Sequence, residues 1–305
     1  MIGMSMKRLI SEICDNRIKM AIKVIILLPF ALMMYACEKP VFDSEEYDDG
    51  NAVLVFTATS TTRSDVVIGD YFTKLNVMLF DANGEKVFDK VRTQYSTDNN
   101  FGQMSLQLAE GEYTVVAVGH SSVKSATIKS PQVVQFTASN GEKLTDTFCY
   151  CGQITVSDEP EQHDLVMSRV TALFRMVLTD EEIPSDFTAM KIDYTGGSAN
   201  FNPSTGQGCT KSTQSETRTA NQNDIYDAYT FPYMATESLL NITVSALDAS
   251  GTIIRQRTFT NVPVTRNKIT TYTGHFFEPG DGDITQSGFG FSVNGDWEGE
   301  DNYTF

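Results

Sequence analysis

Histidine occurs three times and tryptophan once in the 305 residues, and the local patterns that organise reactive side chains are missing. No H-E-x-x-H, G-x-S-x-G, phosphate-binding loop or G-x-G-x-x-G stretch occurs, which removes the signatures of zinc hydrolysis, serine hydrolysis and nucleotide binding. Gly119-His120-Ser121-Ser122 looks like a nucleophile turn only superficially, because no helix-forming sequence follows it. The expectation is a protein that is not an enzyme, with no cofactor and no small-molecule substrate.

Basic residues are also few. There are 23 Lys and Arg against 39 Asp and Glu, a net charge of −16. Such a surface repels phosphate backbones and anionic lipid, so nucleic acid is excluded as a partner and electrostatic docking to membranes is disfavoured. Cysteine is scarce: Cys14, Cys37, Cys149, Cys151 and Cys209. Leaving aside the first two, treated below, three is an odd number and excludes a full disulfide framework. Cys149 and Cys151 are alternate residues of one strand, poorly spaced for a mutual bridge, so a bond would join one of them to Cys209; small buried thiols are the other reading. C-x-C with no clustered histidine is not a zinc spacing, so no metal site is expected. Asp281 and Asp283, and Asp296 with Glu298, Glu300 and Asp301, lack the fixed loop spacing of a calcium site and read as solvated acidic loops.

Long apolar runs are missing except one. Ile22 to Ala36, IKVIILLPFALMMYA, is short for a bilayer span, is interrupted by Pro29, and follows Arg17, Lys19 and Lys23. This is the layout of a signal peptide over residues 1–36. Met34-Tyr35-Ala36-Cys37 resembles a lipobox, in which cleavage precedes a diacylated cysteine; Cys37 is then the lipid attachment site, carrying diacylglycerol and a fatty acyl chain. Removing 1–36 takes five basic and two acidic residues, leaving 18 basic against 37 acidic and a net charge of −19. Attachment to outer-membrane lipid then rests on the acyl chains, several of which hold far more firmly than one.

Residues 37–50, with Glu45, Glu46, Asp48 and Asp49, have too few apolar side chains to pack and form an acidic tether. The stretch resembles the surface-export signal that follows the lipidated cysteine in lipoproteins of Bacteroidota; a merely solvated linker is the alternative.

Beyond it the pattern is of strands with no amphipathic helix. Ala52 to Thr59 is a first strand, and Leu75, Val77 and Leu79 lead to Asp81-Ala82-Asn83-Gly84, a hairpin cue that predicts return pairing over Glu85 to Asp89. Met104, Leu106 and Leu108 alternate, Glu110-Gly111 turns, and Tyr113, Val115 and Ala117 alternate, predicting another hairpin. Phe148 to Val156 closes this set, and the acidic Ser157 to Asp164 with Pro160 reads as a boundary. The chain thus divides into residues 51–157 and 158–305. In the second part Leu165 to Leu178 reads as one long strand, Asn202 to Asn223 as a polar loop, Leu239 to Leu247 and Thr252 to Thr260 as a hairpin through Asp248-Ala249-Ser250-Gly251, and Phe289 to Val293 as a late strand. Trp297 beside it reads as a core plug or as a stacking platform for a sugar ring. The fold class is all-β: two tandem antiparallel sandwiches.

Three stretches resemble the fimbrillin-like proteins of Bacteroidales, particularly the FimB-type fimbrial anchor lipoproteins: Leu165–Asp180 (LVMSRVTALFRMVLTD), Asn261–Phe277 (NVPVTRNKITTYTGHFF) and Phe291–Gly299 (FSVNGDWEG). The resemblance implies transthyretin-like sandwiches and a fimbrial subunit at the outer membrane that supports cell adhesion, with other fimbrial subunits as partners. Such subunits assemble by strand exchange: a terminal strand fills the incomplete sheet of a neighbour. Val53 and Val55 of the first strand, and Phe289, Phe291 and Val293 of the tail, are the parts suited to it. In stalk subunits a protease cuts after an arginine in the loop behind the first strand; Arg63 stands where such a site would be, and an ordinary loop charge is the other reading. A surface glycan-binding lipoprotein of a polysaccharide-uptake system is the alternative reading.

Overall fold

Alternating apolar and polar residues become strands throughout the computed structural model, which describes residues 50–58, 68–137, 143–233, 238–278 and 297–304. Every described residue belongs to one compact unit, Tyr47–Phe305. In chain order the strands are β1 (Ala52–Ala58), β2 (Lys74–Phe80), β3 (Arg92–Tyr95), β4 (Gln103–Leu106), β5 (Gly111–His120), β6 (Thr127–Ser130), β7 (Val133–Gln135), β8 (Thr147–Val156) and β9 (Glu161–Arg169). They continue with β10 (Ala172–Leu178), β11 (Ala189–Thr195), β12 (Asn200–Asn202), β13 (Gln207–Gly208), β14 (Gln214–Thr219) and β15 (Ile225–Thr230). The last four are β16 (Ser238–Leu247), β17 (Ile253–Val264), β18 (Lys268–Gly274) and β19 (Gly299–Thr304). No α-helix is present among the described residues.

The two halves repeat one wiring diagram. In the first, β1 lies antiparallel to β4 and parallel to β9, while β2 pairs with β3 and β5, and β5 with β8. In the second, β10 lies antiparallel to β15 and parallel to β18, while β11 pairs with β14 and β16, and β16 with β17. The all-β tandem sandwich expected from the sequence is therefore present, with one parallel pair in the first copy and two in the second. Each copy also carries the same hairpin chemistry. Asp81 Oδ1 accepts the N–H groups of Asn83 and Glu85, and Asp248 Oδ1 those of Ser250 and Thr252. Gly84 and Gly251 take φ of 80° and 82°, a region side chains avoid.

Each half buries its own core. One centres on Leu54, Phe56, Leu75, Val115 and Phe148, the other on Phe174, Ile192, Tyr226, Ile242 and Phe259. A small sheet ordered β13-β12-β7-β6 straddles them, with β7 paired to β12, so Ala199, Phe201 and Phe231 from late in the chain join the first core.

Four sequence expectations are corrected. Residues 157–164 do not part the halves: β9 runs the length of β1, and the change of core falls between Val170 and Ala172. Leu165 to Leu178 is accordingly two strands in two sheets, and in the first Leu165, Met167 and Arg169 are buried while Val166 and Ser168 are exposed. The stretch from Met104 to Ala117 is no hairpin: β4 joins β1 while β5 joins β2 and β8, so the chain crosses between layers. The polar segment Asn202–Asn223 contains β13 and β14; β14 turns Gln214 and Glu216 inward, where Lys143 and the Leu144 N–H bond them.

Candidate functional site: strand edges and the arginine joint

β1 was singled out for exchange, and it is flanked on both sides. Val53 sits opposite Ser105 and Gln162, Val55 opposite Gln103 and Asp164. Both valines are half-buried on the outer face, while Ala52, Leu54, Phe56 and Ala58 form the inward row. The buried alternate side chains of this strand are thus the even-numbered ones. Cys37, Glu45, Glu46, Asp48, Asp49, Arg63, Phe289, Phe291 and Val293 lie outside the described residues.

The three stretches that carry the family resemblance meet at one buried guanidinium. Arg169 ends β9, and its Nε and Nη2 donate to Asp146 Oδ1 and Oδ2, each at 2.8 Å. Its Nη1 donates to Asn267 Oδ1 at 2.9 Å. The guanidinium carbon stands 4.6 Å from the Phe148 ring centroid and 3.9 Å from that of Trp297. Thr171 Oγ1 also donates to Asp146, and the Asn267 N–H bonds the Thr171 carbonyl. Asn267 has φ of 60°, which Asn tolerates better than most residues, and this turn aims its amide at Arg169. The Glu298 N–H bonds the Asn267 carbonyl, bringing in the residue after Trp297. A planar fork of five donors can hold a carboxylate, an amide and two rings together, which a lysine cannot. Trp297 therefore gives one ring face to Arg169.

From this joint β19 runs parallel to β18, in register from Lys268 opposite Gly299 to Thr273 opposite Thr304. Tyr303 stacks on Tyr272 with centroids 4.7 Å apart, and the Thr271 hydroxyl bonds Glu300. Burial, with Tyr303 nearby, pushes the Tyr272 hydroxyl up to about 12. Acidic Glu298, Glu300 and Asp301 thus belong to a strand and its approach.

Two other edges of this half, β15 and β17, are guarded. On β15 the alternate carbonyls of Ile225, Asp227 and Tyr229 accept from Asn221 Nδ2, Arg218 Nε and the Tyr194 hydroxyl. β17 is bulged, with Asn261 at φ 56°, and carries Pro263, whose carbonyl takes the Thr270 hydroxyl. Capped carbonyls, bulges and proline are the devices that stop unwanted strand pairing.

The remaining candidates are structural. His120 is fully buried; its Nε2 donates to Asn76 Oδ1 at 2.8 Å and its Nδ1 accepts from the Ser122 N–H. Burial, aided by the Lys74 charge, lowers its pKa to about 3, so the ring is neutral and hydrogen-bonded at both nitrogens. Ligand atoms of Asp180, His275 and Glu278 lie within 4.8 Å of one another, but Asp180 already accepts the N–H groups of Phe276, Phe277 and Glu278. Cys149, Cys151 and Cys209 are free thiols, and burial pushes Cys149 well up.

A family profile described as a family of unknown function, DUF6562, matches residues 56–305. The chain belongs to DUF6562. No curated protein matches this DUF6562 member. Among solved structures it is similar to a Bacteroides thetaiotaomicron protein proposed to bind polysaccharide, at 12% identity and TM-score 0.49, covering 70% of this chain and 80% of that one. It is also similar to the fimbrial anchor protein Mfa2 from Porphyromonas gingivalis, at 13% identity and TM-score 0.40, covering 68% and 80%. A fimbrial assembly protein from Parabacteroides distasonis matches at 15% identity and TM-score 0.39, covering 73% and 89%. Likenesses this distant carry no functional argument by themselves.

Proposed function

We propose that this DUF6562 member is a non-enzymatic structural subunit of a cell-surface fimbria, a FimB-type anchor or accessory subunit, held in the outer membrane by acyl chains on Cys37. The reading rests on one observation: the three stretches that resemble fimbrillin-like proteins, far apart in sequence, supply Arg169, Asn267 and Trp297 to a single buried joint. Loose sequence patterns that coincide by chance have no reason to meet in space. Two sandwiches of one wiring, a terminal strand added at a sheet edge, and two guarded edges are parts suited to assembly by strand exchange, with fimbrial subunits as partners and cell adhesion as the outcome. Glu45, Glu46, Asp48 and Asp49 would direct surface export. An anchor keeps Arg63 uncut; a stalk subunit is cut there.

Radiolabelled fatty acid is expected to mark the protein in its native host and to leave Cys37→Ala unlabelled. Deleting the gene is expected to release long filaments into the medium if the subunit is the anchor. An unlabelled protein whose deletion leaves pili attached and of normal length would end the proposal.

A further inference from the structure

The duplication is complete except at one edge. β9 and β18 are equivalent strands, each lying parallel to the first strand of its half, β1 or β10. On its far side β18 carries β19, again in parallel. On its far side β9 meets β8 only where Ser168 and Arg169 face Cys149 and Phe148. Among the described residues, Glu161 to Val166 have a strand neighbour on the β1 side alone.

The side chains of that stretch are those of a surface lacking its cover. Val166 is 54% exposed, an aliphatic residue on a strand whose inward row, Leu165 and Met167, is buried. Glu161, Gln162 and Asp164 are exposed beside it, and His163 Nε2 is buried with no hydrogen-bond partner. The stretch also lacks the defences found on β15 and β17: it has no bulge, no proline and no side chain capping its carbonyls among the bonds described.

Resting on the strand-exchange reading above, we infer that Glu161–Val166 of β9 is a docking edge that receives, in parallel, an extended segment of a partner subunit. The chain's own β18–β19 pair supplies the geometry, since it shows a parallel strand seated on the equivalent edge. Side chains on one face of neighbouring parallel strands lie side by side, so the partner strand sets an apolar residue beside Val166 and a basic one beside Asp164. A second copy's β19, with Glu300 and Asp301, brings carboxylates toward Glu161 and Asp164 and is the wrong charge for this edge.

The test uses the full-length protein and two synthetic peptides of residues 299–305, one native and one carrying E300K and D301K. Amide hydrogen exchange over Glu161–Val166 is expected to slow about tenfold with saturating lysine peptide and to change little with the native one. In Asp164→Lys the preference is expected to reverse. Protection there combined with normal, attached pili after gene deletion would keep the edge and remove the pilus assignment. No protection by either peptide, in the wild type or in Asp164→Lys, would overturn the docking edge; equal protection by both would overturn the basic partner.

Discussion

His120 is the side chain whose burial most directly ties this fold to pH. Its ring is neutral in the fold with a pKa of about 3, against about 6.5 in an unfolded chain. The unfolded state therefore binds a proton that the folded state refuses. Stability from this site is intact above about pH 6.5 and is lost as pH falls from there toward 3, by on the order of 5 kcal/mol in full. Urea unfolding of the wild type and of His120→Gln, compared at pH 7 and pH 4.5, is expected to show a steeper acid loss in the wild type. Equal losses would mean that the imidazole is not the titrating group. The sequence showed this residue only as one of three histidines, within a turn that superficially resembles a nucleophile elbow. What it lacked was the partner, Asn76, which lies 44 positions away and is itself fully buried.

Strands were largely legible, because period-two alternation is a local signal, and so were the turns at Gly84 and Gly251, whereas the hairpin expected through Glu110-Gly111 is absent. β1, β2, β8 and β16 lie close to where the pattern put them. Most errors share one cause: alternation gives a strand's two faces but not the sheet it joins. β9 and β10 read as one strand because no glycine or proline separates them, yet Val170 and Thr171 carry the chain from one core to the other. β14 was missed because its inward row is Gln214 and Glu216 in place of aliphatics. The joint was legible only as three motifs; that Arg169 unites them needed coordinates. Removing this arginine leaves Asp146 and Asn267 without their partner, a change that typically costs about 3–5 kcal/mol. Arg169→Ala is expected to lose that much in urea unfolding and to shift the emission of Trp297, the sole indole, to the red. An unchanged spectrum would show that the tail does not depend on the stack.

At the scale of the molecule, two cores are interlocked by more than the connection between them. The β7–β12 pairing, the bonds from Lys143 and Leu144 to β14, and the Arg169–Asn267 contact all cross from one half to the other. Halves coupled in this way are expected to unfold together. Trp297 emission and far-ultraviolet circular dichroism should follow one coincident urea transition, whereas two separated transitions would show independent halves.

Among the described strands β19 has no counterpart in the first half, so the repeat is one strand short at its beginning and one strand over at its end. A molecule of that kind has a front and a back. Subunits of different sequence joined through such unlike surfaces all point the same way, and unless each step turns far enough to close a ring, the row continues without limit.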